Sequence, residues 1–225
     1  VFSDVRMRRA VAYAINKEEA LEVCGSGQGK VVIYPCDLGE QVTGNPDFVP
    51  SHTYEYNVEK AKALVEECGN VGKTVTIKSY NTEPFQTLSV WLQGSLSAIG
   101  LDAKVDTMER SAFLDQLLNG EVEICPFSWA NASFDFGAAV DSMCIGIAGN
   151  YGRYSNPRAD ELVALGNGTN DVEARKGYYR ELMEIYMEDV PSVAMYAVIS
   201  AIAHSNQLVM EDANIYEMAR VHWAE

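Results

Sequence analysis

The apolar positions at the start of the chain repeat with the period of an α-helix. The residues that share one face after Asp4 are Val5, Ala10, Val11, Ala14 and Ile15. A second helix is predicted over Lys17–Val23, because Asn16 can cap its first turn and Glu19 completes a capping box three residues later. A long irregular stretch then extends to about residue 56, with Val31–Tyr34 as a possible strand.

From Asn57 onward, helical and alternating patterns follow one another at short intervals. Helices are predicted over Val58–Cys68 and Pro84–Ile99, and from a cap at Ser111 through Asn119. The alternating segments predict three strands, over Thr74–Tyr80, Leu101–Thr107 and Glu121–Trp129. This order of elements indicates an open α/β sheet of at least three strands.

The last third of the chain is mainly helical. A helix is predicted over residues 136–145, another over Pro157–Leu165 with proline at its first position, and the longest over Val172–Asp189 behind an Asp171 cap. A final apolar strand is predicted over Val193–Ile202. No internal repeat or low-complexity segment interrupts this pattern.

Length and charge narrow the class of protein. A chain of 225 residues is long enough for one large domain, or for one domain with an appendage. The net charge of −15 argues against a nucleic-acid partner, since phosphate binding needs a basic face. The longest apolar run, residues 190–204, is shorter than a membrane helix and rich in β-branched residues, so a buried strand is the better interpretation. The chain has no signal peptide and does not begin with Met, so we expect a processed or trimmed segment.

The cysteine pattern leaves two interpretations open. The five cysteines include no C-x-x-C pair, and this spacing argues against a zinc site. Cys24 and Cys36 flank a short glycine-rich loop and would form a disulfide in an oxidising compartment. The alternative is that all five are small buried hydrophobic residues.

Enzyme signatures are not found in the sequence. Gly25–Lys30 (GSGQGK) lacks the first glycine and the final Ser or Thr of a P-loop. There is no G-x-S-x-G elbow and no H-E-x-x-H, and the three histidines, His52, His204 and His222, are scattered. Neither a catalytic residue, a metal nor a cofactor is predicted. A binding module, in which a packed scaffold presents aromatic and polar groups, remains as the alternative to an enzyme.

Five segments, in order, resemble family 5 extracellular solute-binding proteins. Phe2–Glu18 (FSDVRMRRAVAYAINKE) is similar to the family's F-x-D-x-R-V-R-x-A-I-x-Y-A-I-D-R/K-E. The other four are Tyr56–Gly69 (YNVEKAKALVEECG), Leu92–Leu101 (LQGSLSAIGL), Tyr154–Val163 (YSNPRADELV) and the spacing from Arg175 to Pro191. This family comprises the dipeptide, oligopeptide and nickel receptors of ABC importers. Each motif alone is weak, but five in the family's order cover nearly the whole chain.

The resemblance implies a fold, a function and a location. The fold expected is a periplasmic-binding-protein-like (class II) lobe, α/β, with an open mixed β-sheet flanked by helices. Residues 1–195 would form the family's second, ligand-binding lobe, and residues 196–225 would return toward the first lobe. Such a protein would bind a peptide or another small solute between two lobes and deliver it to an ABC permease, without a cofactor. It would act as a monomer outside the cytoplasm of a bacterium, in the periplasm or lipid-anchored at the outer face of the membrane.

Both anchors for a free dipeptide are missing by comparison with the family pattern. In peptide receptors of this family, a Trp is followed three residues later by an Asp that holds the ligand's α-amino group. Here Trp129 is followed by Ala132, and Asp135-Phe136 stands where Asp-Pro is usual. Tyr80–Trp91 also contains no arginine for the ligand carboxylate. The expected ligand is therefore a longer peptide held through its backbone, or a different small molecule.

Open α/β sheets bind ligands at the carboxyl ends of their strands. Nine residues are therefore predicted to line or rim the site: Tyr80, Asn81, Phe85, Trp129, Asn131, Phe134, Asp135, Tyr151 and Arg153. For several of them a plainer role is open. Phe134 and the neighbouring Phe127 suit the core, Asp135 suits a helix N-cap, and the loop residues suit a solvated turn. A surface sensor or scaffold, or a hydrolase using Asp135 and Tyr80, remains the alternative function on the same fold.

Overall fold

The computed structural model describes residues 1–34, 48–129, 137, 150–198, 204–210 and 221–223. The helices are α1 (Val5–Ala14), α2 (Lys17–Cys24), α3 (Val58–Glu67), α4 (Phe85–Ala98), α5 (Arg110–Asn119), α6 (Pro157–Asn167) and α7 (Val172–Asp189). The strands are β1 (Gly29–Val31), β2 (Thr74–Tyr80), β3 (Asp102–Met108), β4 (Tyr196–Val198), β5 (Leu208–Met210) and β6 (Val221–Trp223).

Side-chain caps fix the starts of the predicted helices. Asp4 accepts from the backbone N–H of Arg6 at the start of α1, and Asn16 accepts from that of Glu19 at the start of α2. Asn57 and Asp171 cap α3 and α7 in the same way. The helix predicted behind Ser111 begins earlier, at Arg110, with no side-chain cap.

The central sheet pairs β2 and β3 in parallel, with α4 as the crossover between them. Their register extends from Thr74 opposite Asp102 to Tyr80 opposite Met108. The third strand, predicted over Glu121–Trp129, is wrong in extent. Within the described residues Ile124 forms only an isolated parallel bridge with Ile77. Pro126 has no N–H to donate, so the ladder cannot continue past it.

The main core lies between this sheet and helices α1, α3 and α4. Its fully buried members are Met7, Ala10, Ala61, Val65, Ile77 and Leu96, and the other members are nearly as buried. The helical face predicted from Val5 to Ile15 thus packs onto strands whose alternation was also read from the sequence. A second cluster lies on α6 and α7, where Leu162, Tyr179, Leu182 and Tyr186 are buried together.

The carboxyl end of α7 is tied to the first helix. Its last three carbonyls each accept from a different side chain: Met187 O from Tyr54 Oη (2.8 Å), Glu188 O from Arg9, and Asp189 O from Arg8 Nε (2.8 Å). Carbonyls at this end of a helix have no partner within the helix. Cations there also interact favourably with the negative end of the helix dipole. These contacts connect the two hydrophobic clusters.

A short antiparallel pair joins distant parts of the chain. β1 pairs with β4, with Gly29 opposite Val198 and Val31 opposite Tyr196. The strand predicted over Val31–Tyr34 is therefore wrong in extent, because the observed strand spans Gly29–Val31 and shares one residue, Val31, with the prediction. The strand predicted from Val193 begins at Tyr196. Position 29 suits glycine, because a Cβ there would lie 2.2 Å from the carbonyl oxygen of Ala197.

Several predictions concern residues outside the described ranges. These are the end of the Val193–Ile202 strand beyond residue 198, Cys36, and the 136–145 helix except for Gly137, which is helical. Cys24 carries a free thiol, and because Cys36 lies outside the described residues, the suggested disulfide between them stays a prediction. Within the described ranges, none of the helices has the length and apolar character required to cross a membrane.

Candidate functional site

Three aromatic rings meet where β2 ends and α4 begins. Tyr80, the last residue of β2, has its ring centroid 4.9 Å from that of Phe85 and 4.7 Å from that of Phe113, both edge to face. Tyr80 is only 8% exposed, and Phe113 of α5 is fully buried. The structure thus brings Tyr80 and Phe85 together, with the ring of Tyr80 largely buried, and their roles in ligand binding stay predictions.

Asn81 connects the carboxyl ends of the two parallel strands. Its backbone N–H donates to Met108 O at 2.9 Å, and its side-chain Nδ2 donates to Glu109 Oε1 at 2.9 Å. Its carbonyl accepts from Gln86 Nε2 at 2.8 Å. The residue is therefore held firmly at the edge of the sheet where a ligand is expected.

The aromatic cluster continues from the core to the surface through three more rings. Phe127 lies 6.5 Å from Tyr80, 5.2 Å from Trp129 and 5.8 Å from Tyr151, measured between ring centroids. Trp129 and Tyr151 are stacked, with 5.9 Å between centroids and 7° between planes. We call Tyr80, Phe85, Phe127, Trp129 and Tyr151 the aromatic wall. Its outermost member, Trp129, is 49% exposed.

Arg153 lies next to this wall in a turn. Its backbone is left-handed, with φ of 53°, and its N–H donates to Asn150 O at 3.2 Å. Its guanidinium lies directly over Gly120, where a larger residue would displace it. Gly120 itself ends α5 with φ of 75°. Arg153 thus covers the end of α5, and its predicted role at the rim stays a prediction.

Two buried serines hold the start of α4 in place under the wall. Ser79 and Ser89 are fully buried, and their hydroxyl oxygens lie 2.7 Å apart. Ser89 Oγ also lies 2.7 Å from Phe85 O, within hydrogen-bonding distance. A buried hydroxyl is costly unless it is paired, so this contact fixes the register of α4 on β2.

The Tyr151 loop is held by a set of polar residues that the sequence patterns did not single out. Asn150 donates from Nδ2 to Tyr154 O (2.6 Å) and accepts at Oδ1 from Tyr154 N (2.8 Å). The Asp189 carboxylate accepts from Tyr154 Oη (2.5 Å) and from Asn156 Nδ2 (3.0 Å). The sequence signal for this set of residues is Tyr154–Pro157 (YSNP), which is also part of the family resemblance.

Three predicted site residues, Asn131, Phe134 and Asp135, lie outside the described residues, as does Ala132. Their roles stay predictions. Among the residues that the structure does describe, no group of His, Cys, Asp or Glu side chains is arranged to hold a metal ion.

A cavity elsewhere is too small to hold a solute. It is lined in part by Ala12, Tyr54, Tyr186 and Ser192, none of which belongs to the aromatic wall. Its volume of about 10 Å³ has room for about one water molecule. The aromatic wall is therefore the better candidate for a binding surface.

The crossover-linked parallel strands thus carry an aromatic surface at their carboxyl ends, which is where open α/β sheets bind ligands. The sequence model of the bacterial extracellular solute-binding proteins, family 5 Middle, matches residues 1–148. The chain belongs to this family, as its sequence segments predicted.

Curated relatives share the family but are much longer. The chain is 26% identical over 204 residues to the dipeptide-binding protein of Escherichia coli strain K12, covering 84% of this chain and 37% of that protein. It is 27% identical over 217 residues to the oligopeptide-binding protein AppA of Bacillus subtilis, covering 87% and 39%. The chain thus spans less than half the length of these relatives.

Solved structures confirm the fold. One is the ABC transporter-associated periplasmic binding protein DppA from Helicobacter pylori, in complex with the peptide STSA. It matches with a TM-score of 0.82 and 24% identity, over 100% of this chain and 45% of that chain. AppA from B. subtilis, in complex with a nonapeptide, matches with a TM-score of 0.78 and 20% identity, over 100% and 48%. The predicted class, a periplasmic-binding-protein-like lobe, is therefore correct.

Proposed function

We propose that this chain is the ligand-binding lobe of an ABC importer receptor, which binds a peptide or another small solute and delivers it to a membrane permease. The carrying observation is the half-exposed indole of Trp129, supported from behind by Phe127 and Tyr151. An exposed apolar ring held rigidly at strand ends suits contact with a ligand, because little entropy is lost when the ligand binds.

The family and its relatives support the same proposal. The family consists of solute-binding receptors, and two of the relatives are named for dipeptides and oligopeptides. On this proposal residues 1–195 form one lobe, and residues 196–225 lead toward a second lobe that completes the ligand contacts. The site is extracytoplasmic, and the receptor is a lipid-anchored or periplasmic monomer without catalytic activity.

The ligand is proposed to be a longer peptide, or a solute other than a free dipeptide. Ala132 cannot supply the carboxylate that would hold an α-amino group, and Tyr80–Trp91 contains no arginine. A ligand held by Trp129, Asn81 and backbone groups does not require those charges. The proposed contacts at Asn131, Phe134, Asp135 and Arg153 would surround it.

Native mass spectrometry with a library of two- to six-residue peptides tests this function. The chain is expected to retain peptides longer than two residues, and Trp129→Ala is expected to weaken retention roughly thirtyfold, the factor for a ~2 kcal/mol hot spot. Trp223→Ala, at an exposed tryptophan of β6, is the matched control and should retain peptides as the unaltered chain does.

Three results would count against the proposal. The first is equal retention by the chain and by Trp129→Ala. The second is a submicromolar dissociation constant measured calorimetrically for this chain, because a lobe that lacks half of the contacts should bind weakly. The third is hydrolysis of peptides that disappears in Asp135→Ala, which would identify an enzyme instead.

A further inference from the structure

The carboxyl end of α7 is held in place by several side chains. Three side chains, from Arg8, Arg9 and Tyr54, donate to its last three carbonyls. The helix ends at Val190, whose backbone is left-handed. The side chain of Asp189 projects from this fixed end. A group attached to such a helix end moves little, so it can position another segment.

The Asp189 carboxylate holds two residues of the loop that precedes α6. Tyr154 Oη donates to Oδ2 at 2.5 Å, and Asn156 Nδ2 donates to the same oxygen at 3.0 Å. Asn156 also caps α6 through its Oδ1. The partial burial of Tyr154 and the facing Asp189 carboxylate raise the pKa of Tyr154 well above its usual range. Its hydroxyl therefore stays protonated and donating at neutral pH.

The same loop contains Tyr151, a member of the aromatic wall. Asn150 binds both backbone groups of Tyr154 and so closes a five-residue loop, in which Tyr151 is the second residue. The Tyr151 ring stacks on Trp129 and also contacts Phe127. The position of Tyr154 therefore determines where the ring of Tyr151 can lie.

We infer that Asp189 and Tyr154 are positioning residues for the aromatic wall. They hold the Asn150–Tyr154 loop so that Tyr151 supports the exposed indole of Trp129. Neither residue belongs to the aromatic wall, and both act through the loop. This inference deepens the proposed function and depends on it for the effect on ligand affinity. The effect on the indole itself does not depend on any ligand.

Quenching of tryptophan fluorescence by acrylamide tests the inference in the ligand-free chain. Trp91→Phe and Trp223→Phe leave Trp129 as the single tryptophan of the 225-residue chain. In this background, Tyr151→Ala defines the quenching constant of an unsupported indole. Tyr154→Phe is expected to move the quenching constant most of the way from the background value to that of Tyr151→Ala. The variant keeps the ring of residue 154 but loses the hydrogen bond from its hydroxyl to Asp189, which holds the loop.

Tyr54→Phe is the matched control. It removes a tyrosine hydroxyl that donates to Met187 O, one of the three contacts at the end of α7. Arg8 and Arg9 still hold the carbonyls of Asp189 and Glu188 in this variant, and the contacts of the Tyr151 loop are kept. The control should lose a similar amount of stability and leave the quenching constant at the background value. Asp189→Asn keeps one acceptor oxygen for two donors, so we expect it to raise the constant less than Asp189→Ala does.

Equal quenching constants for Tyr154→Phe, Tyr54→Phe and the background would overturn the inference. If Tyr154→Phe does not fold, Asp189→Asn and Asp189→Ala decide the question by the same measurement. With peptides that the unaltered chain retains, Tyr154→Phe should weaken binding about fivefold, the factor for a hydrogen bond of ~1 kcal/mol. If no peptide is retained, the proposed function fails, while the quenching result still stands or falls on its own.

Discussion

The indole of Trp129 shows how a single residue can be both supported and exposed. Its edge and one face contact Phe127 and Tyr151, yet about half of its surface remains in contact with solvent. Exposing this much apolar surface has a cost on the order of 1 kcal/mol, and no contact within the described residues offsets it. We interpret the exposed surface as area that a ligand would cover.

Asp4 is a second residue whose surroundings have a measurable consequence. Hydrogen bonds from the Arg6 side chain and from its backbone N–H lower the pKa of Asp4 from 3.8 to about 2. A carboxylate whose pKa falls on folding stabilises the folded state above its unfolded pKa, and this contribution is lost as the pH falls through the folded value.

We therefore expect the urea midpoint to fall between pH 4 and pH 2, and to fall less in Asp4→Asn. Asparagine still caps α1 but does not titrate, so the variant should match the unaltered chain best at the acid end. Urea unfolding at several pH values measures this. An Asp4→Asn variant that loses as much stability as the unaltered chain over this interval would contradict the assignment.

At the scale of elements, the sequence predicted best where local signals agree. The bounds of β2 and α7 match the prediction, because strict alternation in Thr74–Tyr80 and an Asp171 cap followed by a long helical pattern leave little choice. Prediction failed where a proline interrupts the pattern or where the pairing partner is distant in sequence. The third strand is reduced to an isolated bridge at Ile124, two residues before Pro126, and β1 extends back to Gly29, which the Ala197 carbonyl approaches closely.

The candidate site was predicted only in part, for the same reason. The ends of β2 and of the third strand point to Tyr80, Asn81 and Trp129, because strand ends can be read locally. The stacking of Tyr151 on Trp129 and the hold of Asp189 on Tyr154 depend on contacts between segments far apart in sequence. No pattern of period two or 3.6 encodes such contacts.

The β1–β4 pair predicts a clear difference between two glycine substitutions. Gly29→Ala would place a Cβ against the Ala197 carbonyl, so the strands must separate, and we expect a loss of about 1–3 kcal/mol in the free energy of unfolding. Gly94→Ala, in the interior of α4 with open space around it, should instead stabilise the chain by about 0.5–1 kcal/mol.

Urea unfolding of both glycine variants measures the difference. Because Gly94 has a helical backbone and no neighbouring atom in the way, it serves as the matched control for adding one methyl group. Equal midpoints for Gly29→Ala and the unaltered chain would show that β1 and β4 do not require their close approach.

At the scale of the whole molecule, two hydrophobic clusters are connected by arginines. The core on β2, β3 and α1 and the cluster on α6 and α7 are joined by Arg8 and Arg9, which donate to the last carbonyls of α7. Arg8, which stands at the second arginine of the family pattern, and the neighbouring Arg9 therefore have a structural role in this protein. Loss of these bonds should loosen one cluster more than the other.

Hydrogen exchange measured by mass spectrometry tests this connection. In Arg8→Ala/Arg9→Ala, amides of α7 should exchange roughly tenfold faster, as expected when hydrogen bonds from charged donors worth about 1.5–3 kcal/mol are lost. Amides of β2 and β3 should keep their rates. Lys62→Ala, which removes a surface cation that pairs with Glu59, is the control. Uniform acceleration in both clusters would indicate a single cooperative unit instead.

The pairing of β1 with β4 also has a consequence for biosynthesis. Val31 lies opposite Tyr196, so the partner of β1 leaves the ribosome about 165 residues later. At 5–20 residues per second this is a delay of roughly ten to thirty seconds, during which the edge of Gly29–Val31 is unpaired. The strand has only three residues, which limits how far another unfinished polypeptide can pair with its open edge during this delay.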